Sequence, residues 1–142
     1  MKQLIMALVL IITVAVSVTL RLQVAGWMII VLGIPLLIGL IVHLIVHIKS
    51  ILNIPNKKPT YIRLMLLSNL FFFLGFVLQV DGDDRRTYLP ILFWTSTELP
   101  EQLMDIAYWV SNFSFLALIV SWSMLMDKGK NIPKLRRELQ ET

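Results

Sequence analysis

Residues 22–48 read LQVAGWMIIVLGIPLLIGLIVHLIVHI, 27 residues between Arg21 and Lys49 with no formal charge unless a histidine takes a proton. As a helix this stretch is about 40 Å long, against roughly 30 Å for the hydrocarbon core of a bilayer. The surplus permits tilt, a kink, or ends that reach the headgroups. Burying so long an apolar rod in protein needs a large core, and a chain of 142 residues cannot build one around it. The stretch reads as a membrane span.

The rest of the chain repeats the pattern. Apolar residues make up 57% and charged residues 15%, where soluble domains carry about 25% charged residues. Arg21, Lys49, Arg63, Asp81, Asp105 and Asp127 cut the sequence into apolar blocks of spanning length. The expected spans are about 3–20, 24–48, 64–80 and 103–126, with a loop over 81–101 and a basic tail over 127–142. The expected fold is therefore an all-α integral membrane four-helix bundle of antiparallel spans, forming one membrane domain. There is no cysteine, which excludes disulfides, thiolate metal sites and cysteine nucleophiles.

The first run, Gln3–Leu20, follows a positive start, as a signal peptide would. It is longer than the usual apolar core of such a peptide and no A-x-A-like site follows it, so it reads as an uncleaved span. Thr13 and Ser17 share a helix face, with hydroxyls suited to bonding their own helix carbonyls. A very short link at Arg21–Val24 makes spans 1 and 2 a hairpin. In span 2, Gly26, Gly33, Leu37 and Leu40 form a stripe that would admit a neighbouring backbone. Gly33 and Pro35 predict a kink, and Trp27 stands where an interfacial aromatic belongs.

Asn53, Pro55, Asn56 and Pro59 are read as breaking any helix between spans 2 and 3. Span 3 is short and places Ser68, Phe72, Gly75 and Gln79 on one small-and-polar face. The patch Leu89–Trp94 is too short to cross a bilayer and fits the interface or a re-entrant dip. Thr95–Glu98 and Pro100 read as the start of helix 4. In the tail, Asn131 and Pro133 mark the start of a separate amphipathic helix carrying Ile132, Leu135 and Leu139.

Charge sets the orientation. Four spans place the N-terminus, the 49–63 loop and the tail on one side. That side holds Lys2, Lys49, Lys57, Lys58, Arg63, Lys128, Lys130, Lys134, Arg136 and Arg137, ten of the thirteen basic residues. Arg21, Arg85 and Arg86 lie on the other. The positive-inside bias makes the first side cytoplasmic. The net charge of +4 is thus a topology signal, and no nucleic-acid partner is implied. With no organelle signal in the chain, a bacterial inner (plasma) membrane is the default location.

Two constellations could carry chemistry. His43 and His47 are one turn apart, a spacing known for divalent metals, and Asp127 is the one further ligand at suitable depth. A proton relay, or interfacial histidines bonded to backbone, lipid or water, fits the same spacing. On helix 4, Asp105, Tyr108, Asn112 and Ser123 fall along one stripe, with Ser111, Ser114 and Ser121 beside it. That stripe reads either as interhelical hydrogen-bonding glue or as an outward-facing polar vestibule with Asp105 at its mouth. Asp81–Gly82–Asp83–Asp84 lacks the remaining ligands of a calcium loop. No catalytic, nucleotide or cofactor motif is found.

The leading functional expectation is a non-catalytic subunit, assembly factor or regulator. Its partners would be the lipid bilayer and another membrane protein or further copies of itself. An oligomeric transporter using Asp105, Asn112 and Gln79 is the alternative, and a metal-dependent membrane enzyme at His43 and His47 is the third.

Overall fold

Where side chains are apolar and water is scarce, a backbone that bonds to itself within one segment avoids unpaired N–H and C=O groups. The four apolar runs accordingly become four helices. A computed structural model describes residues 1–23, 27–52, 59–82, 87–89 and 100–138. Its helices are α1 (Lys2–Gln23), α2 (Trp27–Leu52), α3 (Pro59–Val77) and α4 (Glu101–Glu138). All four contain a segment long and apolar enough to cross a membrane.

Every helix runs past its expected span at one or both ends: α1 reaches Gln23, α2 reaches Leu52, and α3 begins at Pro59, ahead of the expected Leu64. Pro59 opens α3 instead of breaking the chain ahead of it. The first helical position needs no N–H, and the fixed φ of proline suits it. At its other end α3 stops at Val77, short of the expected Val80. Lastly, α4 runs through Asn131 and Pro133 to Glu138 as one helix, where a separate short helix was expected.

After α3, Asp81–Gly82 (β1) pairs antiparallel with Thr87–Tyr88 (β2), a two-rung ribbon with no forewarning in the sequence. At the start of α4, which begins at Glu101, the Pro100 carbonyl accepts from the Leu103 N–H at 2.9 Å. Expectations for Gly26, for Asn53–Asn56, for Pro90–Trp94 and for Thr95–Glu98 lie outside the described residues.

The contacts fix an up-down-up-down order. Going up α3, the neighbours on α4 descend. Tyr61 and Met65 share a cluster with Leu125, Phe72 shares one with Leu118, and Gly75 faces Phe115. Helices α1 and α2 are antiparallel as well, since Gln3 near the start of α1 donates to the carbonyl of Ile51 near the end of α2.

Two apolar layers result. One holds Met6, Val46, Tyr61, Met65 and Leu125, the other Phe72, Phe76, Val77 and Leu118, and Trp122 packs against both.

Buried positions include Ser17, Arg21, His43, His47, Ser50, Ser68, Asn69, Gln79, Ser111, Ser114 and Ser121. The exposed ones are rich in Leu, Ile and Val. In α2 these are Ile30, Val31, Ile34, Leu37, Ile38, Ile41, Ile45, Ile48 and Leu52. A water-soluble bundle of this size would reverse that distribution. Among the described residues of the α2 stripe, Leu40 packs against the Phe72 cluster, Leu37 is exposed, and a Cβ at Gly33 would meet nothing within 4 Å. Among the described glycines of the helices, Gly75 on α3 admits a neighbour, with the Phe115 ring 3.1 Å from where its Cβ would stand.

Candidate functional site

Helical spacing turns His43, Val46, His47 and Ser50 inward together, and all four are buried. They meet the inward face of α3, where Met65, Ser68, Asn69 and Phe72 follow the same spacing. The His43 ring lies between two others. Its centroid is 4.1 Å from that of Phe72, nearly parallel, and 4.1 Å from that of His47.

Hydrogen bonds then fix the chemistry of His43. Trp122 Nε1, which can only donate, reaches His43 Nδ1 at 3.1 Å. That nitrogen must therefore carry the lone pair, and the ring proton sits on Nε2. From there it points at Asn69 Oδ1, 3.3 Å away. The Asn69 amide is oriented in turn by Nδ2, which donates to the Met65 carbonyl at 2.9 Å. Trp122, His43 and Asn69 form one matched chain of donors and acceptors across α4, α2 and α3.

His47 is placed differently. Its Nδ1 lies 3.1 Å from the His43 carbonyl and its Nε2 lies 3.4 Å from the Met65 carbonyl. Both partners accept, and a neutral ring has one proton to give. The shorter contact takes it, so Nδ1 is the donor.

This arrangement bears on the readings made from the spacing. The histidines do share a face, as i and i+4 require, and they are fully buried inside the bundle. Asp127 is exposed and does not join them. Among the described residues no three His, Asp or Glu side chains come together. A metal at His43 would have to displace Trp122 from the lone pair. The chain ends on an indole N–H and a peptide carbonyl, neither of which releases or takes up protons, so it is a poor relay. What this geometry does well is pin three helices in register.

The helix 4 stripe divides. Ala107, Ser111, Ser114, Leu118, Ser121 and Leu125 point inward and are buried. Asp105, Tyr108 and Ser123 are exposed and Asn112 is half-buried, on the opposite side of the helix. Of the vestibule candidates Asp105, Tyr108, Asn112 and Gln79, only Gln79 lies inside the bundle of this single chain. Periodicity had placed the outer stripe correctly but could not tell which side of it faced the bundle. Asn112 Nδ2 donates to the Tyr108 carbonyl at 2.9 Å, and Ser123 Oγ to that of Ile119 at 3.1 Å, both within α4.

A second polar centre closes the far end of the bundle. Ser111 Oγ lies 2.9 Å from the Gly75 carbonyl and 2.8 Å from Gln79 Oε1. The buried Arg21 guanidinium donates through Nη1 to the Gln79 carbonyl at 2.7 Å. On α1, Ser17 bonds back to the Thr13 carbonyl at 2.7 Å, as expected. Two members of these centres were missed in the sequence, Asn69 and Trp122. Asn69 had a usable signal, because a lone amide in the middle of an apolar run is costly without partners. No family model, curated protein or solved structure matches the chain.

Proposed function

We propose that this chain is an integral membrane protein of four antiparallel spans, with both termini cytoplasmic and the 81–101 loop outside. It works without catalysis, as a subunit, assembly factor or regulator in contact with another membrane protein or with further copies of itself. The observation that carries the reading is the pairing of an aliphatic exterior with a polar, hydrogen-bonded interior. Lipid tolerates such an exterior, and in lipid polar groups belong inside the bundle. The contact role rests on α4, where, among the described residues, Asn112 is a mid-helix amide turned away from the bundle core. The internal bonds of His43, His47, Asn69 and Trp122 leave them working as structure.

A transport path needs Asp105, Asn112 and Gln79 to face one route, and their opposite placements lend it no support. The bacterial inner membrane suits the basic ends, through the same positive-inside argument.

Two measurements test the reading. Tags at both ends of the chain, probed in sealed cells with impermeant reagents, are expected to be protected, and a cysteine placed within 83–86 is expected to be labelled. Purification from native membranes in mild detergent should recover a membrane partner or more than one copy. Ends on opposite faces, or a monodisperse lone monomer, would sink it.

A further inference from the structure

We infer that the outward face of α4 is the contact between two copies of this chain, held in register by Asn112. The inference rests on the membrane reading above and names its partner.

Asp105, Trp109, Asn112, Leu116, Ile119, Ser123 and Met126 recur at alternating steps of four and three residues. That is the 3.5-residue repeat that lets two helices wrap around each other along a seam. At 3.6 residues per turn they occupy a stripe opposite the buried Ser111, Leu118 and Leu125. Trp109, Leu116, Ile119 and Met126 are all at least half exposed. The outward middles of α1 and α2 differ, being aliphatic over several turns, and the exposed side chains in the middle of α3 are Leu66, Leu67 and Leu70.

The seam is not made for lipid. Asn112 lies about 15 Å along the helix from Gln102, deep within a core of roughly 30 Å. Its one hydrogen bond among the described residues goes to its own helix. One amide proton and the Oδ1 lone pairs remain for a partner, and hydrocarbon offers none.

A second copy supplies what is missing. Copies of one chain enter the membrane the same way round, so their α4 helices run parallel and put Asn112 opposite Asn112 at equal depth. An amide carries both donor and acceptor, and two of them are complementary to each other. A single buried Asn in an otherwise apolar seam fixes register and partner number in this manner. Ser123 repeats the match one and a half heptads on. Asp105 is three residues past Gln102, near the end of the span, where water screens the like charges of two copies.

The chain has no cysteine, so single-cysteine variants across α4 can be oxidised in native membranes without background. Disulfide-linked dimers are expected at 112, 116, 119 and 123, where facing Cα atoms come within about 7 Å. None is expected at the exposed off-seam positions Ile106, Val110 and Met124. Adducts with the same periodicity but the mass of a different protein would overturn the second copy and leave the proposed function standing. No periodic adduct at all would overturn the second copy, while tag protection and co-purification test the proposed function separately.

Asn112→Leu should weaken the dimer in liposomes, read by energy transfer, roughly three- to thirtyfold, while Asn112→Gln retains most of it. An unchanged dimer constant for Asn112→Leu, with unfolding of the protein in detergent also unchanged, would overturn the role of Asn112.

Discussion

The indole N–H of Trp122 on α4 donates across 3.1 Å to Nδ1 of His43 on α2, between residues 79 apart in the chain. The bond selects one tautomer of the histidine and thereby directs its remaining proton to Asn69 on α3. Three helices are tied by one relay of donors, in an environment where apolar contacts alone discriminate weakly between one helix rotation and another. Both layers of apolar packing touch Trp122, so the polar tie and the packing lock the same rotation of α4.

Trp122→Phe tests that bond. The ring keeps most of the packing, but the lone pair on Nδ1 of a fully buried His43 is left facing carbon. An unpaired buried acceptor costs about 1–3 kcal/mol, and thermal or denaturant unfolding in detergent should show a loss in that range. Histidine nitrogen shifts by NMR give a second readout. One Nε2–H form is expected for His43 in the parent and a mixture in the variant. A parent that already shows a mixture would refute the tautomer assignment.

The tie between His43 and Asn69 is measurable by a double-mutant cycle with His43→Phe and Asn69→Leu. Each change alone strands a polar atom of the other residue, and the pair together strands fewer. The double variant should therefore be more stable than the sum of the singles requires, with a coupling of about 0.5–2 kcal/mol. Additive behaviour to within the measurement error would mean that the contact at 3.3 Å is not energetically a bond.

Much of this was legible in the sequence, and the illegible parts share a cause. Charge spacing and run length located four helices because both are properties of a segment by itself. The inward face of α3 was also legible: Ser68, Phe72 and Gly75, with Gln79 just past the helix end, are all buried. Which side of α4 faces inward was not, since Ser111 and Asn112 are adjacent, both polar, and separated only by the packing of other helices. For Gly33 and Gly75 the same holds. Glycine permits a close approach anywhere, and it is the Phe115 ring that decides where one happens. His43 and His47 announced their shared face but not their partners, because Trp122 and Asn69 come from distant turns of other helices.

Gly75 offers a test of that approach. A methyl group there would stand 3.1–3.2 Å from three carbons of the Phe115 ring, so the ring must shift by a few tenths of an ångström. Overpacking of this kind costs about 1–3 kcal/mol, and Gly75→Val should fall at or above the upper end. Phe115→Leu should restore much of the loss in Gly75→Ala, while lowering stability when introduced alone. If Gly75→Ala is neutral or stabilising without that second change, α3 and α4 do not meet as closely as described.

Ser68 and Ser111 are both serines at 0% exposure on facing helices, yet their alanine variants should move stability in opposite directions. The Ser111 hydroxyl sits between the Gly75 carbonyl and the Gln79 side chain, 2.9 and 2.8 Å away, so Ser111→Ala strands at least one buried group. That should cost about 1–3 kcal/mol. Ser68 Oγ has no hydrogen-bond partner among the described residues. A hydroxyl buried without a bond already carries its desolvation cost in the folded state. Removing it in Ser68→Ala should be neutral or stabilising by up to about 1 kcal/mol, since alanine also favours the helix. Parallel unfolding curves for the two variants decide the matter. Equal losses would mean that Ser68 finds a partner after all, and equal neutrality would mean that the Ser111 bridge contributes nothing.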